Sequence, residues 1–295
     1  MPAPLRASTT RQSAIPQQPR GAVVSATPRE KIHWSTPRTP LLWIDMHIAQ
    51  RLADHVVGNR GLVGIPVHTA ATRALPHRFR MEELASCLIE AIRSFQPEGP
   101  YYLGGWCNCG VLAYEVAQQF RRQGSEVALV IVIDSVNPVL YQRTEPSIIW
   151  ASKVRFHLSQ IIRLRMTEFG EYAGERVASI GWRRRQSSGG GVQFDARLDA
   201  AVQQYEPKPY PGRVVALYPS QLPSYRHPHA NWADLVTGGF ESYAVTGNHK
   251  TMMEESGVAE LAARIENCIA GLPSAGDTHV RGDGRPDAGA VCPAT

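Results

Sequence analysis

The feature that most constrains this chain is Gly104-Gly105-Trp106-Cys107-Asn108-Cys109-Gly110, preceded by Gly99-Pro100-Tyr101-Tyr102-Leu103 and followed by Val111-Leu112-Ala113-Tyr114-Glu115-Val116-Ala117. Tyr101 to Leu103 reads as a short apolar strand, the glycines as a tight turn, and Val111 to Phe120 as a helix with Leu112, Val116 and Phe120 on one face. On such a strand-turn-helix elbow one residue is forced into a strained backbone conformation that lifts its side chain above a sheet edge. Small neighbours two positions to either side keep the turn from clashing. Gly105 and Cys109 occupy those positions and Cys107 stands between them, where a thiol is a strong nucleophile. Free cysteine is also a common buried filler, and the heptapeptide alone leaves both readings open.

The elbow needs a sheet around it, and the chain supplies one. Pro40-Leu41-Leu42-Trp43-Ile44 fits a buried strand, Asp45 to Ala53 an amphipathic segment, and Gly61 to Ile65 a second strand followed by a polar loop through Thr69 to His77. Met81, Leu84, Ala85, Leu88, Ile89 and Ile92 recur at helical spacing between Arg80 and Phe95. After Gly124, Val127 to Ile133 is a continuous β-branched run of the kind found at the centre of a parallel sheet, with Asp134 at its carboxyl end. Further on, a helix is expected through Ala196 to Tyr205, strands at Arg213 to Tyr218 and Phe240 to Val245, and a closing helix from about Val258 to Leu272. Alternating strands and helices predict an α/β fold with a mostly parallel central sheet and helices on both faces.

Residues 141–190 differ: Trp150, Val154, Leu158, Ile161, Ile162 and Leu164 suggest helices without a strand, hence an inserted helical lid. Ser187-Ser188-Gly189-Gly190-Gly191 reads as its flexible joint. Residues 1–38, rich in Pro, Ser, Thr, Gln and Arg, and residues 273–295 are expected to be a disordered arm and tail around one domain at 39–272. Met1 and these loose ends favour a freestanding protein over a synthase fragment.

Composition excludes several classes. The net charge of +5 gathers in the arginine-rich start and in Arg183-Arg184-Arg185, neither interleaved with aromatics, so a nucleic-acid partner is not expected. The mild basicity suits an acidic protein partner. Five cysteines, at 87, 107, 109, 268 and 292, show no zinc-ligand pairing and no disulfide density, which points to reduced thiols, no metal and a cytoplasmic setting. No run reaches the roughly 20 apolar residues of a membrane span, and the N-terminus lacks the apolar core of a signal peptide.

Three reactive candidates appear in the order Cys107, Asp134, His249, each predicted at the carboxyl end of a strand. His249 follows Gly247-Asn248 in a loop, where an imidazole could reach both thiol and carboxylate, whereas His33, His55 and His227 read as surface residues. Nucleophile, acid, base is the chain order of α/β-hydrolases.

From about residue 40 to 272 the chain resembles the thioesterase domains of polyketide and nonribosomal peptide synthesis. The matching stretches are Gln96 to Trp106, Leu112-Ala113-Tyr114-Glu115, Val132-Ile133-Asp134-Ser135, Tyr210-Pro211-Gly212-Arg213 and Gly247-Asn248-His249. Cys107-Asn108 is similar to a branch carrying cysteine in place of the elbow serine. The resemblance implies an α/β-hydrolase fold, Cys107 as nucleophile, His249 as general base, Asp134 as its orienting carboxylate and residues 141–190 as the lid. It also implies a phosphopantetheine-bearing acyl or peptidyl carrier protein as partner, with no cofactor.

Two departures stand out. Where the family has a glycine-rich loop that supplies one oxyanion N–H, this chain reads Asp45-Met46-His47, a few residues short, leaving His47 as the candidate donor beside the N–H of Asn108. Cys109 replaces the second elbow glycine. The expected activity is therefore release of a carrier-bound chain through a Cys107 acyl-enzyme, by hydrolysis, cyclisation or acyl transfer. The alternative is a catalytically degenerate carrier-docking module of the same fold. The acyl group and the oligomeric state are not legible.

Overall fold

The computed structural model describes residues 39–53, 55, 61–68, 75–139, 147, 150–151, 154–155, 158, 190–222 and 232–271. Six apolar runs form the strands: β1 (Leu41–Ile44), β2 (Leu62–Ile65), β3 (Tyr101–Trp106), β4 (Val127–Ile133), β5 (Val214–Pro219) and β6 (Phe240–Val245). They pair in the order β2-β1-β3-β4-β5-β6, all parallel. β4 lies inside this sheet, as its unbroken apolar run predicts, because a strand covered on both faces has no polar side to present.

Successive residues of each strand point to opposite faces, and the two faces build two cores. Leu42, Ile44, Leu103, Val130, Val132 and Val214 pack with helices α2 (Met81–Phe95), α3 (Asn108–Arg122) and α4 (Gly190–Gln204). Leu41, Trp43, Leu129, Ile131, Val215 and Leu217 pack with α1 (Met46–Ala53) and α5 (Glu255–Ala270). In α2 the six buried side chains are the six picked out by periodicity, Met81, Leu84, Ala85, Leu88, Ile89 and Ile92.

Three expectations change. Gly104 and Gly105 belong to β3, and the turn is Cys107 alone. Their glycine identity answers packing: a Cβ on Gly104 would lie 2.5 Å from the Trp43 ring, and one on Gly105 would lie 2.3 Å from the Cys109 carbonyl oxygen. Helix α3 starts at Asn108, directly after Cys107, and is buried all round from Gly110 to Phe120 instead of on one face. Helix α4 begins at Gly190, so Gly190 and Gly191 open a helix where a joint was expected; Phe194, Leu198, Ala201 and Val202 anchor it to the core. The remainder of that joint, most of the predicted lid, the arm 1–38 and the tail 273–295 lie outside the described residues.

All-round burial of α3 requires that its polar groups find partners. Glu115, 2% exposed, accepts from Gln119 Nε2 at 2.9 Å, Arg122 at 2.8 Å and the Tyr205 hydroxyl at 2.6 Å. Burial first, and the Glu115 carboxylate next, hold the Tyr205 hydroxyl well above its ordinary value, so it stays a donor. Tyr114 donates to the carbonyl of Lys208 at 2.8 Å and packs against Tyr210 and Trp232. The distant stretches around Tyr114-Glu115 and Tyr210-Pro211-Gly212 thus meet in one place.

Candidate active site

The strand order reverses between β1 and β3, which opens a crevice at their carboxyl ends, the usual place for chemistry in an open parallel sheet. Cys107 leaves β3 at this point with φ 55° and ψ −126°, a region that residues with a Cβ rarely occupy. Its N–H donates to the Ile133 carbonyl at 2.8 Å, so the turn remains stitched to the end of β4. Two glycines make tight contacts beneath it: Gly105, against the Cys109 carbonyl, and Gly110. A Cβ on Gly110 would sit 1.9 Å from Ser135 Oγ and 2.8 Å from the Gly105 carbonyl oxygen.

Asp134 follows β4, the neighbouring strand, at φ 41°, with its N–H donating to Leu217 of β5 at 2.8 Å. It is 6% exposed, and its carboxylate oxygen Oδ2 pairs with Nδ1 of His249. Ser135 interlocks with Gly110, and the Trp232 indole donates to the Ser135 carbonyl at 2.8 Å, which ties the turn after β4 to the elbow.

His249 sits in the loop between β6 and α5, its side chain 38% exposed. Gly247, at φ +104°, makes the turn, and a Cβ there would meet Thr251 Oγ1 at 2.4 Å. The Asn248 side chain accepts from the N–H groups of Lys250 and Thr251, and the Asn248 N–H donates to Thr251 Oγ1 at 2.8 Å. The imidazole lies flat on the Trp106 indole, with centroids 4.3 Å apart and planes 20° apart.

The positions expected to donate to an oxyanion follow β3 and its neighbour β1 at the same sheet edge. Asn108 is the first residue of α3, whose N–H has no carbonyl one turn earlier in the helix to bond. Its side-chain amide donates to Asp199 of α4, a partner the sequence reading did not include. His47 is the second residue of α1, and a single residue, Asp45 at φ 121°, separates that helix from β1. Two helix N-termini, with their partial positive charge, therefore open at the crevice.

Burial chiefly, then the nearby charges of Asp45, Cys107 and Asp195, push the Cys109 thiol well above its ordinary value. It stays protonated at neutral pH. Among the described residues no group of three or more His, Cys, Asp or Glu side chains could hold a metal ion. No described helix is long and apolar enough to cross a membrane.

The Trp106–His249 stack, the Asn108–Asp199 pair and the Gly110–Ser135 interlock were not legible beforehand. Trp106 lay inside a recognised stretch, but nothing local marks which distant ring an indole will face.

A family model described as Thioesterase domain matches residues 46–269. Polyketide synthase 1 of Metarhizium brunneum is 47% identical over 62 residues, 21% of this chain and 3% of that protein. A non-reducing polyketide synthase of Cercospora nicotianae is 37% identical over 79 residues, 26% of this chain and 4% of that protein. Only a small part of these relatives' length is therefore matched. Among solved structures, the RedJ thioesterase from the prodiginine biosynthetic pathway of Streptomyces coelicolor superposes with TM-score 0.54 at 20% identity, covering 87% of this chain and 96% of that one. The NocB thioesterase domain in covalent complex with a nocardicin G analogue gives 0.53 at 24% identity, covering 80% and 96%. Both share the parallel-sheet α/β-hydrolase fold described above, and with the family model spanning most of the sequence, this chain belongs to the thioesterase domain family.

Proposed function

We propose that this protein releases an acyl or peptidyl chain held as a thioester on the phosphopantetheine arm of a carrier protein in polyketide or nonribosomal peptide synthesis. Cys107 is the nucleophile, His249 the base and Asp134 its orienting carboxylate. The observation that carries this reading is the Asp134–His249 pair, set on the same sheet edge as a cysteine held at φ 55° directly before a helix N-terminus.

The Cys107 thiol gives its proton to the imidazole and the thiolate attacks the thioester carbonyl. Collapse of the tetrahedral adduct breaks the carbon–sulfur bond to pantetheine, which leaves with the proton from the imidazolium. His249 then takes a proton from water, or from a hydroxyl or amine of the chain itself. That oxygen or nitrogen replaces Cys107 at the carbonyl, giving acid, ester or amide and restoring the thiol. Hydrolysis is the simplest outcome. Asp134 on Nδ1 keeps Nε2 as the acceptor and stabilises the imidazolium. The N–H groups of Asn108 and His47 serve the oxyanion.

Free-thiol release from acyl N-acetylcysteamine thioesters tests the proposal, comparing the intact protein with Cys107→Ala, Cys109→Ala and His249→Ala. Turnover that is lost at 107 and 249 but kept at 109 is expected. Turnover that survives Cys107→Ala removes the proposed acyl-enzyme.

One observation favours a second reading, a carrier-docking module without turnover. The β1–α1 connection is the single residue Asp45, so a second oxyanion donor has to come from the first turn of α1 instead of from a loop that can fold over the elbow. Losing one such donor costs on the order of 100-fold or more in rate. Absence of both turnover and acyl-Cys107, with N-acetylcysteamine and carrier-bound substrates alike, selects this reading.

A further inference from the structure

The His249 ring is held from two directions. The hydrogen bond from Nδ1 to Asp134 fixes one edge of the imidazole but leaves the ring free to pivot about the N···O axis. The Trp106 indole removes that freedom, because it lies 4.3 Å from the imidazole and within 20° of parallel to it. Among the described residues, the other hydrogen bonds of the loop from Gly247 to Thr251 act on backbone or on Asn248 and Thr251, not on the ring.

Trp106 itself is an unusual choice for its place. It is the last residue of β3, paired with Ile133 and packed, half-buried, at the margin of the α1/α5 core. Its indole N–H is buried without a hydrogen-bond partner among the described residues. Leaving such a donor unpaired is unfavourable, so no polar tether explains the indole. Its broad, electron-rich face does: stacked on an imidazole it favours the cationic form as well as the ring's orientation.

From this geometry we infer that Trp106 is a positioning residue for the general base, setting the tilt of the His249 ring and stabilising the imidazolium formed when Cys107 is deprotonated. The inference rests on the proposed role of His249 and adds the residue that acts through it. It also accounts for an aromatic residue immediately before the proposed nucleophile: strand alternation puts position 106 on the same sheet face as Tyr102, from which its ring meets His249 in the loop after β6.

The test compares intact protein, Trp106→Phe, which keeps a stacking ring, and Trp106→Leu, which keeps volume without one, each with its unfolding midpoint. In the thioester assay Trp106→Leu should lower kcat roughly 10- to 100-fold, with KM within about twofold, because a misdirected base affects the chemical step and not ground-state binding. Trp106→Phe should stay within about threefold of the intact protein. A Trp106→Leu protein as active as the intact one, or a Trp106→Phe protein as impaired as Trp106→Leu, overturns the inference. Tryptophan emission provides a readout independent of turnover: His249→Ala should raise emission in the intact background and leave it unchanged in the Trp106→Phe background. Equal effects in both backgrounds mean that the stack does not exist in solution. Should the intact protein turn over no thioester, the proposed function fails by itself. The stack is then judged by the rate of iodoacetamide labelling at Cys107, mapped by mass: slower in Trp106→Leu supports the inference, and an unchanged rate overturns it.

Discussion

The elbow and the histidine loop reach the same sheet edge by opposite means. Cys107 is positioned by backbone and close packing: Gly105 and Gly110 admit no Cβ, Ser135 locks into the gap, and α3 behind it is buried on every side. His249 is positioned by side chains: Asn248 and Thr251 brace its loop, Asp134 holds one nitrogen and Trp106 covers one face, while the loop itself lies largely in solvent. The proposed nucleophile is thus fixed by the same contacts that stabilise the fold, whereas the proposed base is fixed by contacts the fold could lose. Damage to the first region should appear as instability and damage to the second as inactivity.

The sharpest separation is expected from His249→Ala, which should lower kcat/KM on the order of 10³-fold, equivalent to about 4 kcal/mol. Its urea midpoint should barely move; a large loss of stability would erase the distinction. Gly105→Ala is the opposite case, with backbone atoms 2.3–2.7 Å from the added methyl, and should cost roughly 3 kcal/mol or more in denaturant unfolding. Tyr205→Phe tests the network behind the elbow, since it deprives buried Glu115 of a donor and should cost about 1–3 kcal/mol while leaving KM unchanged. Cys107→Gly should abolish turnover yet stabilise the protein by about 1 kcal/mol, because glycine occupies φ 55° without strain. A destabilised Cys107→Gly protein would show that the elbow is not strained in solution.

The smallest effect concerns pH, away from both regions. The Tyr243 hydroxyl foremost, and Arg213 after it, hold the Glu241 carboxyl below its ordinary value. The stabilisation is fully present above that ordinary value and disappears as pH falls through the lowered one. The pair is partly exposed, so Glu241→Gln should cost less than about 1 kcal/mol at neutral pH and nothing in strong acid. Unfolding curves at the two pH values check the sign.

The framework was legible wherever one residue type had a single physical use. Val127 to Ile133 had to be a central strand, Met81 to Ile92 had to bury one face of α2, and six parallel strands followed from their alternation with helices. The elbow was misread at Gly104 and Gly105, because glycine marks a turn and a close approach equally well. Only the Trp43 ring and the Cys109 carbonyl, brought in from elsewhere, decide which.

Sequence alone determined the parallel α/β architecture and the order of thiol, carboxylate and imidazole along it, since hydrophobic periodicity and chain order are local properties. Tertiary structure decided which side chains touch: Asp134 on Nδ1 of His249, Trp106 on its face, Asp199 on Asn108, Ser135 under Gly110. Those contacts join residues on different strands and loops, and their geometry depends on strand register and backbone strain that no neighbouring residue encodes.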